Sequence, residues 1–183
     1  MNANEIAASR YGSTMQGAEW IAERLALADA EAAVYRAGDA PPPDGANLVI
    51  LGSGLYAHKL LGELDDYIDR HLDALRQRKL ALFALAMRIS PVFVRGQAHG
   101  GLAQLQPYFD RLGDALVHVD MLGGQMAFNR LTAEDQAGLG RFYAMLKLTA
   151  AEIEQRKSPR TLMNKADYWA FAEEALRKAG TTS

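Results

Sequence analysis

Apolar residues recur along the chain in two alternating rhythms. Residues 48–51 and 80–87 are unbroken apolar runs, the pattern of strands covered on both faces, and residues 115–121 form a further strand-like stretch. Between these runs, apolar positions fall at helical spacing. A first helix is predicted over about residues 14–29, with Ala18, Ile21, Ala22 and Leu25 on one stripe and Ser13 or Thr14 able to cap its start. A short strand at 32–35 leads into Ala40-Pro41-Pro42-Pro43-Asp44-Gly45, a stiff surface connection. A second helix is predicted over 59–76, burying Leu61, Leu64, Ile68, Leu72 and Leu75 and exposing Glu63, Asp65, Asp66 and Asp69. A loop through Ser90-Pro91 then reaches a helix bearing Leu102, Leu105, Phe109 and Leu112. Thr132-Ala133-Glu134-Asp135 reads as a helix start, followed by Leu139, Phe142, Tyr143 and Leu146. A last helix at about 167–178 offers Tyr168, Phe171, Ala172, Ala175 and Leu176 for packing. The alternation predicts an α/β sandwich around a parallel sheet, and neither an internal repeat nor a separating linker divides it.

Composition narrows the chemistry. At 183 residues, 49% apolar and 23% charged, the chain fits one soluble globular domain. Its 20 basic and 22 acidic side chains leave a net charge of −2, which gives no electrostatic basis for a nucleic-acid binder. With no cysteine, disulfides, thiolate metal sites, a CxxC redox pair and a thiol nucleophile are excluded. Electrons moved by this protein must therefore travel on something it binds. The eight-residue run at 80–87 is far short of a bilayer span, and Met1-Asn2-Ala3-Asn4-Glu5 lacks the features of a secretory signal. A cytoplasmic location is expected, with attachment to a membrane surface left open.

Ligands of open parallel sheets bind beyond the carboxyl ends of the strands. Three segments fall at such ends. Ser9-Arg10-Tyr11-Gly12-Ser13-Thr14 is a hydroxyl-rich loop running into the first helix, where unpaired N–H groups and the helix dipole suit a phosphate monoester or an ordinary helix cap. Gly52-Ser53-Gly54-Leu55-Tyr56-Ala57 follows a buried strand; its glycines admit a flat ligand, Tyr56 can stack on it, and a plain strand-to-helix turn is the alternative. The same six residues fit G-x-G-x-x-A, but the next strand ends in Met87-Arg88 without the acidic residue of a dinucleotide site. Met121-Leu122-Gly123-Gly124-Gln125-Met126 ends a later strand and offers backbone amides and the Gln125 side chain. No Walker P-loop or G-x-S-x-G elbow is present, and His58, His71, His99 and His118 have no metal-ligand spacing.

Taken in order, these loops resemble the flavodoxin superfamily. Ser9 to Thr14 leading into Gly17-Ala18-Glu19-Trp20-Ile21-Ala22 resembles its phosphate loop and first helix, and Leu51 to Lys59 its second flavin loop. Within the superfamily the resemblance is closest to flavodoxin-domain proteins of the menaquinone-dependent protoporphyrinogen oxidase type, over nearly the whole chain. It implies a flavodoxin-like three-layer sandwich with a five-stranded parallel sheet of order 2-1-3-4-5, and non-covalent FMN. By position, Ser9, Arg10, Tyr11, Gly12, Ser13 and Thr14 would form the phosphate loop; Ser53, Gly54, Leu55 and Tyr56 would line one side of the ring. The loop at about 86–90, with Gly123, Gly124 and Gln125, would approach its other edges.

One departure stands out. The first strand of this family is central and apolar, whereas here it reads Ala3-Asn4-Glu5-Ile6-Ala7-Ala8, so it is expected to be shortened with its polar end outside the core, or degenerate. A helical insertion of the family type is expected at about 125–164. Across 141–165 lie Arg141, Lys147, Arg156, Lys157, Arg160 and Lys165 among Phe142, Tyr143, Met145, Leu146 and Leu148, a pattern for either a helix packed on the sheet or a peripheral contact with an anionic membrane. The resemblance implies an FMN oxidoreductase passing electrons from an organic substrate, such as protoporphyrinogen in haem biosynthesis, to an acceptor such as a quinone. The alternatives are a flavodoxin carrier shuttling single electrons to a redox partner protein, and a divergent non-catalytic domain. No general acid or base is identifiable.

Overall fold

The computed structural model describes residues 1–56, 59–94, 97–99, 101–146 and 148–180; side chains at 92–94, 97–99 and 145 are also outside the description. Ala57, His58 and Lys147, and the side chains of His99 and Met145, thus lie outside the described residues.

Five parallel strands build the main sheet: β1 (Asn2–Ala8), β2 (Glu31–Arg36), β3 (Leu48–Gly54), β4 (Lys79–Ala86) and the strand Leu116–Gly123. Their order is β2-β1-β3-β4 followed by Leu116–Gly123, the expected 2-1-3-4-5. Helix α1 (Ser13–Ala26) follows β1, and the second helical stretch comprises α2 (Gly62–Arg70) and α3 (Leu72–Leu75). A two-stranded antiparallel pair, β5 (Val92–Val94) and β6 (Gln97–His99), precedes a 3-10 turn at Gly101–Leu105 and α4 (Gln106–Leu112), which has proline in its first turn. The fifth sheet strand is β7 (Leu116–Gly123). Beyond it come β8 (Gln125–Met126), α5 (Ala133–Met145), α6 (Ala150–Lys157), β9 (Arg160–Thr161) and α7 (Lys165–Gly180), with β8 and β9 paired antiparallel.

Strand alternation sorts the core into two layers. Ile6, Val49, Leu51, Leu80, Leu82 and Ala84 pack with Leu64, Tyr67, Ile68, Tyr108 and Leu112 of the α2 and α4 layer. Ala3, Ala7, Leu48, Ile50, Ala81 and Phe83 pack with Ala18, Ile21 and Leu25 of α1 and Tyr168, Phe171 and Ala172 of α7.

The polar first strand is neither shortened nor excluded. β1 pairs along six residues with β2 and six with β3, and Glu5 is completely buried. Asn4 is half-buried, while Glu5 shares a face of the strand with Ala3 and Ala7 and so points into the α1 and α7 layer. Neither carboxylate oxygen of Glu5 has a hydrogen-bond partner, and burial pushes its pKa well above the usual carboxylate range. The strand is retained because its backbone is paired on both edges, and burial favours the uncharged form of the acid.

The second helix also departs from the single expected span of 59–76. Tyr56 and Lys59 form a small bridge, with Tyr56 N–H donating to Lys59 O at 2.8 Å and Lys59 N–H to Tyr56 O at 3.0 Å, so helix begins at Gly62. It is interrupted at His71, whose backbone leaves the helical region at φ −118°.

Candidate functional site

Because the sheet is parallel, β1, β3, β4 and β7 end on the same side. Register places Ala8 beside Ser53, Gly54 beside Leu85, and Ala86 beside Gly123. The three loops that the sequence marks as chemical therefore meet at one end of the sheet. The chain crosses from one side of β1 to the other between β2 and β3, which makes this end a topological switch point.

The first loop is wound around Ser9. Its Oγ accepts the N–H of Gly12 at 3.0 Å and of Thr14 at 3.2 Å. Gly12, at φ +94°, takes the left-handed turn that starts α1 and has no side chain to cap it. The first-turn N–H groups of α1 other than that of Thr14, with no carbonyl inside the helix to receive them, thus face the loop together with the positive end of its dipole. Ser13 is half-buried and lines a small cavity of about 20 Å³ with Tyr11, Gln125, Ala127, Arg130 and Leu131. That volume holds roughly one water, and the Gln125 and Arg130 side chains at its edge are exposed. Thr14 is buried in the helix start and does not line the cavity. A larger groove of about 400 Å³ lies toward the other end of α1, between Leu25 and Ala28 and the α7 residues Ala172 and Leu176, away from these loops.

The second loop is held from inside. Ser53 is fully buried; its hydroxyl accepts Leu61 N–H at 2.9 Å and donates to Gly54 O at 2.9 Å. Its contribution is closure of the loop rather than an exposed donor. Leu55 is tied to the sheet by its N–H to Leu85 O at 2.9 Å. Tyr56 rests against Gly54, where an added Cβ would lie 2.9 Å from the ring, and burial pushes its phenol up to about 12. The guanidinium of Arg10 sits over the same ring, 4.9 Å from its centroid.

The third loop divides. Gly123 and Gly124 are buried, and their backbone groups are engaged: Tyr168 donates to Gly123 O at 2.8 Å, Gly124 N–H to Ala86 O at 2.9 Å, and Leu162 N–H to Gly124 O at 2.9 Å. A Cβ on Gly123 would lie 2.0 Å from Leu162 O, so the glycine is required by this close crossing. Gln125 is exposed and reaches the cavity. The strand-end loop after β4 is exposed from Arg88 to Ser90.

Sequence reading missed Asp135. It accepts from Nη1 of Arg10 at 2.7 and 2.9 Å and from the Tyr11 hydroxyl, and its own N–H donates to Thr132 Oγ1 at 3.2 Å. Thr132 N–H in turn donates to Tyr11 Oη at 3.1 Å. Burial works against ionisation of this acid, but the Tyr11 and Arg10 donors and the Arg10 charge prevail and lower its pKa. A separation of 125 residues from Arg10 leaves no local motif for it.

Three of the basic residues of the late segment are engaged within the chain. Arg156 lies over Tyr143, Lys157 pairs with Glu154 over Phe128, and Lys165 pairs with Glu23. On the acidic helix, Arg111 pairs with Asp65 and Asp69. Among the described residues, no group of three His, Asp or Glu is placed to hold a metal ion, and no helix is long and apolar enough to cross a membrane.

A flavodoxin domain model matches residues 6–149. The chain matches no curated protein. Among solved structures, it is similar to oxidised flavodoxin 1 from Bacillus cereus, at 18% identity over 97% of this chain and 98% of that one, with a TM-score of 0.55. It is likewise similar to a Streptococcus pneumoniae TIGR4 flavodoxin, at 15% identity over 97% and 99%, with a TM-score of 0.52. Two-electron reduced Megasphaera elsdenii flavodoxin is similar over 65% of this chain and 84% of its own, at 16% identity and a TM-score of 0.51.

Proposed function

The chain belongs to the flavodoxin domain family, and from that premise we propose that it is an FMN-binding electron-transfer protein. The observation that carries this reading is the meeting of the α1 mouth with the Tyr56 loop at the switch point of the sheet. The donor set fits the cofactor. Ser13 and the first-turn amides that Ser9 leaves free would receive the phosphate dianion, with Ser9 shaping the turn at Gly12, Thr14 securing the helix start and Tyr11 beside it. Gly54, Leu55 and Tyr56 would border the ring on a loop that Ser53 closes, and Gln125, backed by Gly123 and Gly124, would reach another edge. When bound, FMN supplies the redox chemistry that a chain without cysteine lacks. The similar structures include an oxidised and a two-electron reduced flavodoxin, which supports a redox role. The test is titration of the purified apoprotein with FMN: quenched flavin fluorescence and a protein-bound visible spectrum are expected, and a colourless protein with no binding overturns the reading.

A second reading is favoured by one observation. Phe142 and Leu146 of the α5 region, four residues apart, are both exposed beside exposed Arg141, as on a helix that touches an anionic membrane. An FMN oxidoreductase resembling menaquinone-dependent protoporphyrinogen oxidase, located peripherally and passing electrons to a quinone, would use such a face. Menaquinone-coupled oxidation of protoporphyrinogen by the FMN-loaded protein with membranes separates the two: turnover establishes the enzyme, and its absence leaves the carrier.

A further inference from the structure

We infer that Asp135 is a positioning residue of the flavin site, acting on the ring-stacking Tyr56 through Arg10; the inference rests on the FMN reading above. Arg10 is a long side chain on an exposed loop, and holding it in one geometry costs rotamer entropy. Two opposed anchors fix it. Asp135 takes Nη1 at 2.7 and 2.9 Å, and the Tyr56 ring lies 4.9 Å beneath the guanidinium.

Asp135 is itself immobilised. Its carboxylate accepts from Tyr11, its N–H donates to Thr132, and Thr132 N–H donates back to Tyr11, closing a ring of hydrogen bonds at the start of α5. Its side chain is 20% exposed, whereas that of Arg10 is 44% exposed, so the geometry of the pair rests on the Asp135 end. At the far end of the chain of contacts, Tyr56 is limited by Gly54 on one side and Arg10 on another. The orientation of the aromatic wall is therefore set by a carboxylate from the 125–164 segment, which makes that segment part of the cofactor site.

Arg10→Gln, Asp135→Asn, Asp135→Glu and Tyr56→Ala are compared by titration with FMN and with riboflavin. Arg10→Gln and Asp135→Asn are each expected to weaken both flavins by the same factor, roughly tenfold. In the Tyr56→Ala background the same substitutions are expected to have no further effect, because the residue they act on is gone. Asp135→Glu, which keeps the charge, is expected to restore most of the affinity. Wild-type affinity in both Arg10→Gln and Asp135→Asn, or losses that add to that of Tyr56→Ala, overturns the inference. A loss confined to FMN also overturns it, placing Arg10 on the phosphate instead. If Asp135→Asn fails to fold, Arg10→Gln cuts the same link at its solvent-exposed centre and decides alone. Wild-type protein that binds no FMN overturns both this inference and the reading beneath it.

Discussion

A Cβ built on Gly17 would lie 2.3 Å from Cε1 of Tyr168. The tyrosine ring has little room to retreat: its hydroxyl donates to Gly123 O at 2.8 Å, and Trp20 and Phe83 meet it edge-on at 5.3 and 6.4 Å between centroids. One side chain thus joins α1, which follows the Ser9 to Thr14 loop, to α7 and to the end of β7. Gly17→Ala is expected to destabilise the protein by about 1–3 kcal/mol through overpacking. At this chain length each kcal/mol lowers the melting temperature by roughly 2–4 °C. An unchanged thermal transition would show that the Tyr168 ring can rotate away from α1.

Glu5 makes stability depend on pH in an uncommon direction. Its folded-state pKa is raised by burial, so the folded chain keeps a proton that the unfolded chain releases above the ordinary carboxylate range. The folded state then binds more protons, and stability, complete below the unfolded-state pKa, falls as pH rises toward the folded-state value. The slope is about 1.4 kcal/mol per pH unit inside that window. Glu5→Gln, which has nothing to titrate, is expected to remove the slope and to be the more stable protein at neutral pH. Urea denaturation of both proteins between about pH 5 and pH 8 measures it; parallel curves would mean that Glu5 does not carry the linkage.

The two central strands β3 and β4 were legible because burial on both faces leaves no room for polar residues, which makes them continuous apolar runs. β1 hides the same environment behind Glu5, and its strand character comes from pairing with β2 and β3 rather than from its own side chains. The loops bordering the site were legible as a set through glycines and hydroxyls at strand ends. Their division of labour was not: Ser53 and Gly123 read as ligand contacts, whereas the folded chain uses the one to close a loop and the other to let Leu162 cross. Asp135 and the β8–β9 pair depend on contacts across tens of residues, and two-residue strands have no periodicity to detect. Thr132 was the exception, since a helix cap is a local device and its hydroxyl does receive the Asp135 N–H.

Ser53→Ala removes both hydrogen bonds of the buried hydroxyl and strands the Leu61 N–H without its acceptor. The expected loss is about 1–3 kcal/mol of stability, the usual range for a buried donor left unpaired. Since Ser53 spans the loop that carries Tyr56, flavin affinity is expected to fall as well, for FMN and riboflavin alike. Chemical denaturation of the apoprotein and flavin titration test the two halves separately. Full stability in Ser53→Ala would mean that water replaces the hydroxyl.

Ser13 and Thr14 are neighbours with opposite expected behaviour. Ser13 lines the cavity at the mouth of α1, whereas Thr14 is 2% exposed and turned into the helix start. Under the FMN reading, Ser13→Ala removes a hydroxyl donor to the phosphate dianion, worth about 1.5–3 kcal/mol when the acceptor is charged. Roughly ten- to hundredfold weaker FMN binding is therefore expected. Riboflavin has no phosphate, so its affinity should be unchanged, and the melting temperature of the apoprotein should stay near wild type. Thr14→Ala is expected to lower that temperature first, because its side chain is packed. The helix N-terminus itself survives both changes, so residual FMN binding should still weaken with salt as the dipole and nearby Arg130 are screened. Equal losses for FMN and riboflavin in Ser13→Ala would place the phosphate elsewhere and detach the α1 mouth from the cofactor.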